Sequence, residues 1–549
     1  MIIWESKRGL KSDHEVSKKM IDSKANFKER SCDKNHIMKT PITEFKSKIR
    51  SIKLTNTLSG KKEEMVSREP GKLTMYSCGP TVYGLIHIGN LRGGLVADMF
   101  YRYFQRVGYE VTYVRNYTDV DDKIIKRAHE EKSTPELVAQ KYTQEVEKDF
   151  AVSGMLEPTH KTTVTTHMKE IIGMIEQIIQ NGKAYVADDG EVLFAIDQFK
   201  TYGELSHKKL DDLIAGIRVE VRSNKRNPLD FTLWKPAKPG EPAWDSPWGR
   251  GRPGWHIECS AMASRWLGEQ IDVHHGGEDL IFPHHENEIA QSEAAHQKGP
   301  FVKYWLHHAF LTLSKEKMSK SLGNIFTARD FLTQYSGEFA RYMLLSSHYR
   351  SIIDFGVEAI DQAWMGLHRI YEAKARAQEI LKQPKGRSDL RAEAVWGSFA
   401  VQVEKAKDEI DEHFANDFNT PGALASLFTL IREYNRSLSE PLAQATAGAL
   451  LAAHQLIDVM ENDIGGVMGV GRLDAQKALE DLSRIKRLRS EQNQSSPRPS
   501  ETEILQAIED RASARKSKDF AKADAIRKDL EARGVLIKDS PSGTTWEYQ

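Results

Sequence analysis

The sequence predicts an open parallel α/β sheet in its first half, then an all-α helical bundle, then a small α+β module at the C-terminus. Three observations lead there. An apolar run at Leu73, Met75 and Tyr76 stops at Gly79-Pro80, and an amphipathic segment follows from about His87 to Val107, which reads as strand, turn and helix. Glu110–Arg115 (EVTYVR) alternates and is β-branched, so it reads as a second strand. From Phe339 to about Val467 the period is helical, with few strand signals.

Composition bounds the rest. A chain of 549 residues is too long for one core and suggests about three or four domains. No apolar run approaches the roughly 18–20 residues of a membrane span. The 78 basic residues equal the 78 acidic ones, so nucleic acid would have to be held by local patches. Three widely spaced cysteines, Cys32, Cys78 and Cys259, argue against a disulfide scaffold and for a reducing, cytoplasmic setting. Residues 1–50 are lysine-rich without periodicity, yet carry Glu5, Asp13, Glu15, Asp22, Glu29, Asp33 and Glu44, which speaks against a mitochondrial transit peptide. They read as a disordered arm, with Met38 an alternative start and Cys32 without a role.

The first helix start offers free backbone N–H groups and the positive end of the dipole, which suits a phosphate chain. Gly84 and Gly89 allow close approach, and His87 and Asn90 add side-chain donors. Cys78 stands at the strand's carboxyl end, where open parallel sheets bind ligands. Thr118 closes the second strand, and Asp121–Lys123 leads into a helix through Ala128. From about Ser133 to Gly182 the pattern is helical. Short strands at Ala184–Val186 and Glu191–Ala195 precede a turn-rich stretch from Asn227-Pro228 to Trp248-Gly249, an insertion covering about residues 133–250. Its Trp234, Trp244 and Trp248 read as packing for the proline-rich loops.

A metal constellation comes next. Gly254–Ser264 (GWHIECSAMAS) places Cys259 in a short helix, and a strand ends at His274-His275-Gly276-Gly277. Phe282-Pro283-His284-His285-Glu286-Asn287-Glu288 then opens a helix, with Pro283 suited to its first position. His284 and Glu288, four apart, share one face. Spacing equally allows His285 with Glu288, or His285 with Glu278. Two thiolates, an imidazole and a carboxylate would suit zinc.

HIGN at 87–90 and KMSKS at 317–321 together resemble the paired signatures of class I aminoacyl-tRNA synthetases. With YSCGPTVY, GRPGWHIECSAM, FPHHENE and KMSKSLGN in one chain, the similarity is to the cysteinyl-tRNA synthetase family, from about residue 51 onward. The resemblance implies a Rossmann-like catalytic domain over 51–335, a tRNA-binding bundle over 336–491, a linker at 492–500 and an anticodon-binding module over 501–549. It implies one zinc held by Cys78, Cys259, His284 and Glu288, with Cys78, Thr118 and Trp255 at the substrate cysteine. His87, Asn90, His274, Gly276, Asp279 and Lys320 would meet ATP, carried with Mg2+, and His87, Lys317 and Lys320 would act in catalysis. Asn90 replaces the final histidine of the HIGH signature and cannot carry its charge. Zinc would serve selectivity: an apolar pocket separates near-isosteres only about a hundredfold, whereas the ion prefers a thiolate to an alcohol.

The last fifty residues pair a basic helical stretch, Arg511–Arg533, with a hairpin of Val535–Ile537 and Thr544–Tyr548. Arg515, Lys518 and exposed Trp546 would hold RNA through phosphate contacts and base stacking. The expected activity is ATP-dependent activation of L-cysteine and its transfer to the 3′-terminal adenosine of tRNA(Cys), by a monomer off the membrane. Two alternatives carry less of the sequence. A related cysteine:aminosugar ligase would lack the tail, and a zinc-stabilised RNA-binding protein without activity would not keep His87, Lys317 and Lys320.

Overall fold

The computed structural model describes residues 51–208, 225–313, 316–317, 326–383, 390–440, 443, 446–494, 499–517, 519–533, 535–540 and 543–548. The N-terminal arm with Cys32 and Met38, the KMSKS motif beyond Lys317 (Lys320 included), Pro384-Lys385-Gly386, Lys518 and Gly534 lie outside the described residues.

Five parallel strands form the central sheet: β1 (Lys72–Ser77), β2 (Glu110–Tyr117), β3 (His160–Thr163), β4 (Ile271–Gly277) and β5 (Val302–His308), in the order β5-β4-β1-β2-β3. Every residue of β4 is buried, as expected of a strand covered on both faces. Its Asp272 is satisfied there by the Thr74 and Arg68 amides at 2.8 and 2.6 Å. Helix α1 (Ile88–Arg106) crosses from β1 to β2 and packs one face of the sheet into a core shared with the bundle. On the other face lie α2 (Trp255–Leu267), α3 (Glu286–His296) and the helix Met168–Gln180.

Several elements differ from the sequence reading. The stretch 133–182 is not helical throughout, because β3 interrupts it between the helices Pro135–Val152 and Met168–Gln180. This edge strand is four mostly polar residues, HKTT, and has no apolar alternation to announce it. Residues 160–163, inside the expected insertion, therefore belong to the central sheet. The insertion proper is an antiparallel sheet of Ala184–Val186, Val192–Phe194, Phe231–Pro236 and Gly251–Pro253. Trp234 is buried in it and meets Trp248 edge-on at 6.1 Å. At the other end, Ile353–Asp354 pairs with Leu311–Leu313, so a strand contributed from beyond residue 335 completes the small sheet leading to Lys317. Phe282 is extended, and helical backbone angles resume at Pro283, as expected of a proline at the first helical position, and run on into the regular helix from Glu286.

The bundle is built from Val357–Leu381, Leu390–Ala415, Thr420–Leu438, Ala447–Asp458 and Ala475–Gln494. The last helix runs three residues into the expected linker. The C-terminal module holds two helices, Glu501–Lys516 and Phe520–Ala532, where one basic helix was expected. Asp519 caps the second by accepting from the Lys522 amide at 3.1 Å, which starts a new helix. Val535–Ser540 and Gly543–Tyr548 pair as the hairpin. Among the described residues no helix is long and apolar enough to cross a membrane.

Candidate active site and metal centre

From β1 the chain proceeds to β2 on one side, and after the insertion β4 docks on the other. This makes the carboxyl ends of β1 and β4 a topological switch point, where a crevice opens. A cleft of about 350 Å³ lies there, lined by Cys78, Gly84, His87, Gly89, Asn90, Trp255, Gly276 and Asp279 among others. The turn after β1 demands glycine: a Cβ on Gly79 would fall 1.6 Å from the Asn116 carbonyl oxygen. At the start of α1, His87 Nδ1 accepts from the Asn90 amide at 3.2 Å, and Asn90 Oδ1 accepts from the His87 amide at 3.3 Å. The residue that departs from the HIGH signature thus closes a capping box, using an oxygen that histidine lacks.

Next to Cys78 of the cleft lining, side chains from α2, the turn before α3 and α3 itself converge. Cys78 Sγ lies 3.8 Å from Cys259 Sγ, 3.7 Å from His284 Nε2 and 3.6 Å from Glu288 Oε1. His284 Nε2 and Glu288 Oε1 are 3.1 Å apart. Tetrahedral zinc with nitrogen, oxygen and sulfur ligands has donor–donor edges of roughly 3.3–3.8 Å. The three Cys78 pairs fall in that range, and the His284–Glu288 pair closes on itself as a hydrogen bond. The donor set therefore fits zinc. A second grouping, Cys78 with His274, His285 and Glu288, shares two of these residues. Its His285 Nε2 is 3.6 Å from Cys78 Sγ and 3.9 Å from Glu288 Oε1.

The electrostatics favour an anionic cluster. Hydrogen bonding from Cys78 and then His284 brings the Cys259 thiol down to about 6, while burial pushes Cys78 up. Glu288 is held at about 2: burial opposes ionisation, but His274 and His284 outweigh it. Against the same burial, Cys259 and Glu288 raise His284 to about 10. Around this group His256, His285, His307 and His308 are driven well below the usual histidine value by burial, and His275 to about 3.

The family described as tRNA synthetases class I (C) catalytic domain matches residues 64–365. A DALR domain matches 410–470, and the cysteinyl-tRNA ligase anticodon binding domain matches 502–546. The curated cysteine–tRNA ligase of Geobacter sulfurreducens is 46% identical over 502 residues, 91% of this chain and 100% of the relative. The chain belongs to the cysteine–tRNA ligase family. The cysteine–tRNA ligase of Trichlorobacter lovleyi is likewise 46% identical, over 499 residues and the same shares. Mycobacterium tuberculosis methionyl-tRNA synthetase in complex with methionyl-adenylate superposes with a TM-score of 0.56 at 14% identity. That match covers 74% of this chain and 93% of the other, a likeness of fold.

Within this member of the cysteine–tRNA ligase family, the remaining expected residues fall unevenly. Trp255, 44% exposed, stands in the cleft lining with its ring 4.9 Å from that of His284. Thr118 is buried and its hydroxyl donates to Glu258 at 3.5 Å. His274, expected at ATP, is fully buried outside the cleft lining. It stacks on Trp305 at 4.5 Å, and its Nε2 bonds Glu288 Oε2 at 2.9 Å. Lys317 lies in the short strand Glu316–Lys317. Arg515 is exposed, but Arg511 of the same basic helix is buried. Trp546, expected to be exposed, packs partly buried against the small core of Ile504, Leu530, Val535 and Ile537.

Sequence reasoning missed His256, whose Nδ1 is 2.8 Å from His284 Nδ1, and His307, whose Nε2 is 2.7 Å from His285 Nδ1. His256 lies within GRPGWHIECSAM itself and His307 near the end of β5, and an excess of histidines at strand and helix ends was the available signal.

Proposed function

We propose that the chain activates L-cysteine with ATP to cysteinyl-adenylate and pyrophosphate, then transfers cysteine to the 3′-terminal adenosine of tRNA(Cys). The observation that carries this reading is the donor set of Cys78, Cys259, His284 and Glu288, next to a cleft lined by Cys78 and the start of α1. The preferred set has two sulfurs, which suits zinc better than the grouping with His274 and His285. Bound there, zinc would supply a Lewis acid that takes a thiolate and discriminates against a hydroxyl.

The remaining steps belong to the chain and its substrates. Thr118 and Trp255 flank the amino-acid end. The capped start of α1, with His87 and Asn90, receives the phosphates, which enter with Mg2+ as counter-ion. The substrate carboxylate attacks the α-phosphorus. A carboxyl–phosphorus bond forms, the α–β bridging bond breaks, and pyrophosphate leaves with its charge met by Lys317 and Lys320. A terminal hydroxyl of the tRNA then attacks the activated carbonyl, and AMP departs. Support for tRNA over a small aminosugar acceptor is the anticodon-domain match at 502–546.

The test is pyrophosphate exchange into ATP with cysteine or serine, followed by tRNA charging. Exchange with cysteine alone is expected. Equal exchange with serine, or none with cysteine, would overturn the reading.

A further inference from the structure

Arg92 lies two residues past Asn90 of the capping box and is fully buried, yet among the described residues no carboxylate is within ion-pairing distance. Its two terminal nitrogens donate to main-chain carbonyls of two separate segments, while Nε bonds none of the described residues. Nη1 donates to Ala309 O at 2.7 Å and Phe310 O at 2.9 Å. Nη2 donates to Ser351 O at 2.7 Å, Tyr349 O at 3.3 Å and His348 O at 3.5 Å. Burial lowers the guanidinium to about 10, which still leaves it a cation at neutral pH.

The first of these segments lines the cleft, as Arg92 itself does, and the second is tied to the first. Gly89, Asn90 and Gly93 line one side of the cleft, and Ala309, Phe310 and Leu311 line the other. The tie between the segments is main-chain: the Ala309 amide donates to Tyr349 O at 2.9 Å, and the Ile353 amide to Phe310 O at 3.3 Å. Approach of the two walls is close, since a Cβ on Gly93 would come 2.9 Å from the His308 ring.

We infer that Arg92 is a positioning residue for adenylate formation: its fork ties α1 to the cleft-lining segment Ala309–Phe310 and to the turn at His348–Ser351, and so sets how far α1 stands from the Ala309–Leu311 lining of the cleft. The inference rests on the reading of that cleft as the place where adenylate forms. A guanidinium suits the task because its donors sit in a rigid plane, whereas a lysine ammonium is one point on a flexible stem. Reacting groups displaced by about 1 Å lose on the order of a hundredfold in rate.

The test uses the full chain loaded with zinc and compares Arg92→Lys and Arg92→Met in cysteine-dependent pyrophosphate exchange. Both should lose tenfold or more in kcat, with the KM for ATP and cysteine changed less than threefold. Amide hydrogen exchange should rise at 309–313 and 348–354 while the rest of the sheet keeps its protection. A rise in KM for ATP at unchanged kcat would make Arg92 a binding contact and overturn the inference. So would wild-type kinetics in both variants, or global unfolding of even the lysine variant, which would make Arg92 a fold residue. Lys320→Ala, run alongside, separates the two readings. If it abolishes exchange while Arg92→Lys is unaffected, the positioning role alone has failed; if cysteine drives no exchange in the wild type, the reading of the cleft has failed.

Discussion

Cys78 Sγ and Cys259 Sγ stand 3.8 Å apart although 181 residues separate them along the chain. That is far beyond the ~2.05 Å of a disulfide and suits two thiolates on one ion. The full-length protein should carry one equivalent of zinc by metal analysis, and Cys259→Ser should lose most of it. Full retention of zinc in that variant would shift the site to the grouping with His274 and His285.

The KMSKS lysines are expected to act on charge that develops only as pyrophosphate leaves. Preorganised ammonium groups then lower the barrier more than they tighten ground-state binding. Lys320→Ala should slow cysteine activation by about a hundredfold or more, a loss of roughly 3 kcal/mol, with a smaller change in ATP affinity. Single-turnover kinetics separates the two quantities.

Asp98 on α1 binds Arg102 Nε at 2.7 Å and Arg341 Nη2 at 2.5 Å, all three side chains being buried. Burial alone would raise its carboxyl, but Arg341 and Arg102 outweigh burial and hold it below the ordinary value. Its stabilisation is therefore complete above the unfolded-state pKa of about 3.9 and lost as pH falls through the lower folded value. Asp98→Asn should cost about 3–5 kcal/mol at neutral pH, because it leaves two buried guanidinium groups short of charge. Urea denaturation should show the deficit unchanged between pH 7 and 5 and shrinking only below about pH 4.

The C-terminal module should serve tRNA and not activation. Cutting the chain after Gln494, the last residue of the preceding helix, should leave pyrophosphate exchange near wild type while tRNA charging falls steeply. Trp546→Ala should reach the same end by another route, since Trp546 packs on Ile504, Leu530, Val535 and Ile537. Its removal should cost the module roughly 1–3 kcal/mol of stability, seen as an earlier thermal transition. A charging defect with no thermal change would instead indicate direct stacking on RNA.

Much of this architecture could be read from residue patterns, and each exception has a physical cause. The β1–turn–α1 unit is legible because alternation, Gly79-Pro80 and helical period all switch within a few residues. β3 carries no such switch: an edge strand need bury only one of its four residues, so HKTT looks like a loop. The four residues of the preferred metal set were visible as residue types, but spacing could not choose among His284, His285 and Glu278. That choice depends on how α3 is turned relative to β1. His274 lies beside Glu288 and outside the cleft lining, a placement that alternation alone does not give, since it does not say which face of a fully buried strand meets the cleft. Arg92 was invisible for a different reason. Its partners are backbone carbonyls, which leave no mark on the sequence.

The strand order also has a consequence for synthesis on the ribosome. β1 is flanked by β2, which follows soon after it, and by β4, which begins at Ile271. At roughly 5–20 residues per second, the β4 side of β1 waits about 10–40 s for its partner to be made. Throughout that interval the strand ending beside Cys78 presents an open hydrogen-bonding edge, the kind of surface on which chains pair wrongly with one another. The proposed metal set, which includes Glu288, can come together only later still. Aggregation during expression should therefore respond to translation rate across the insertion, and metal supplied early in synthesis should do little to prevent it.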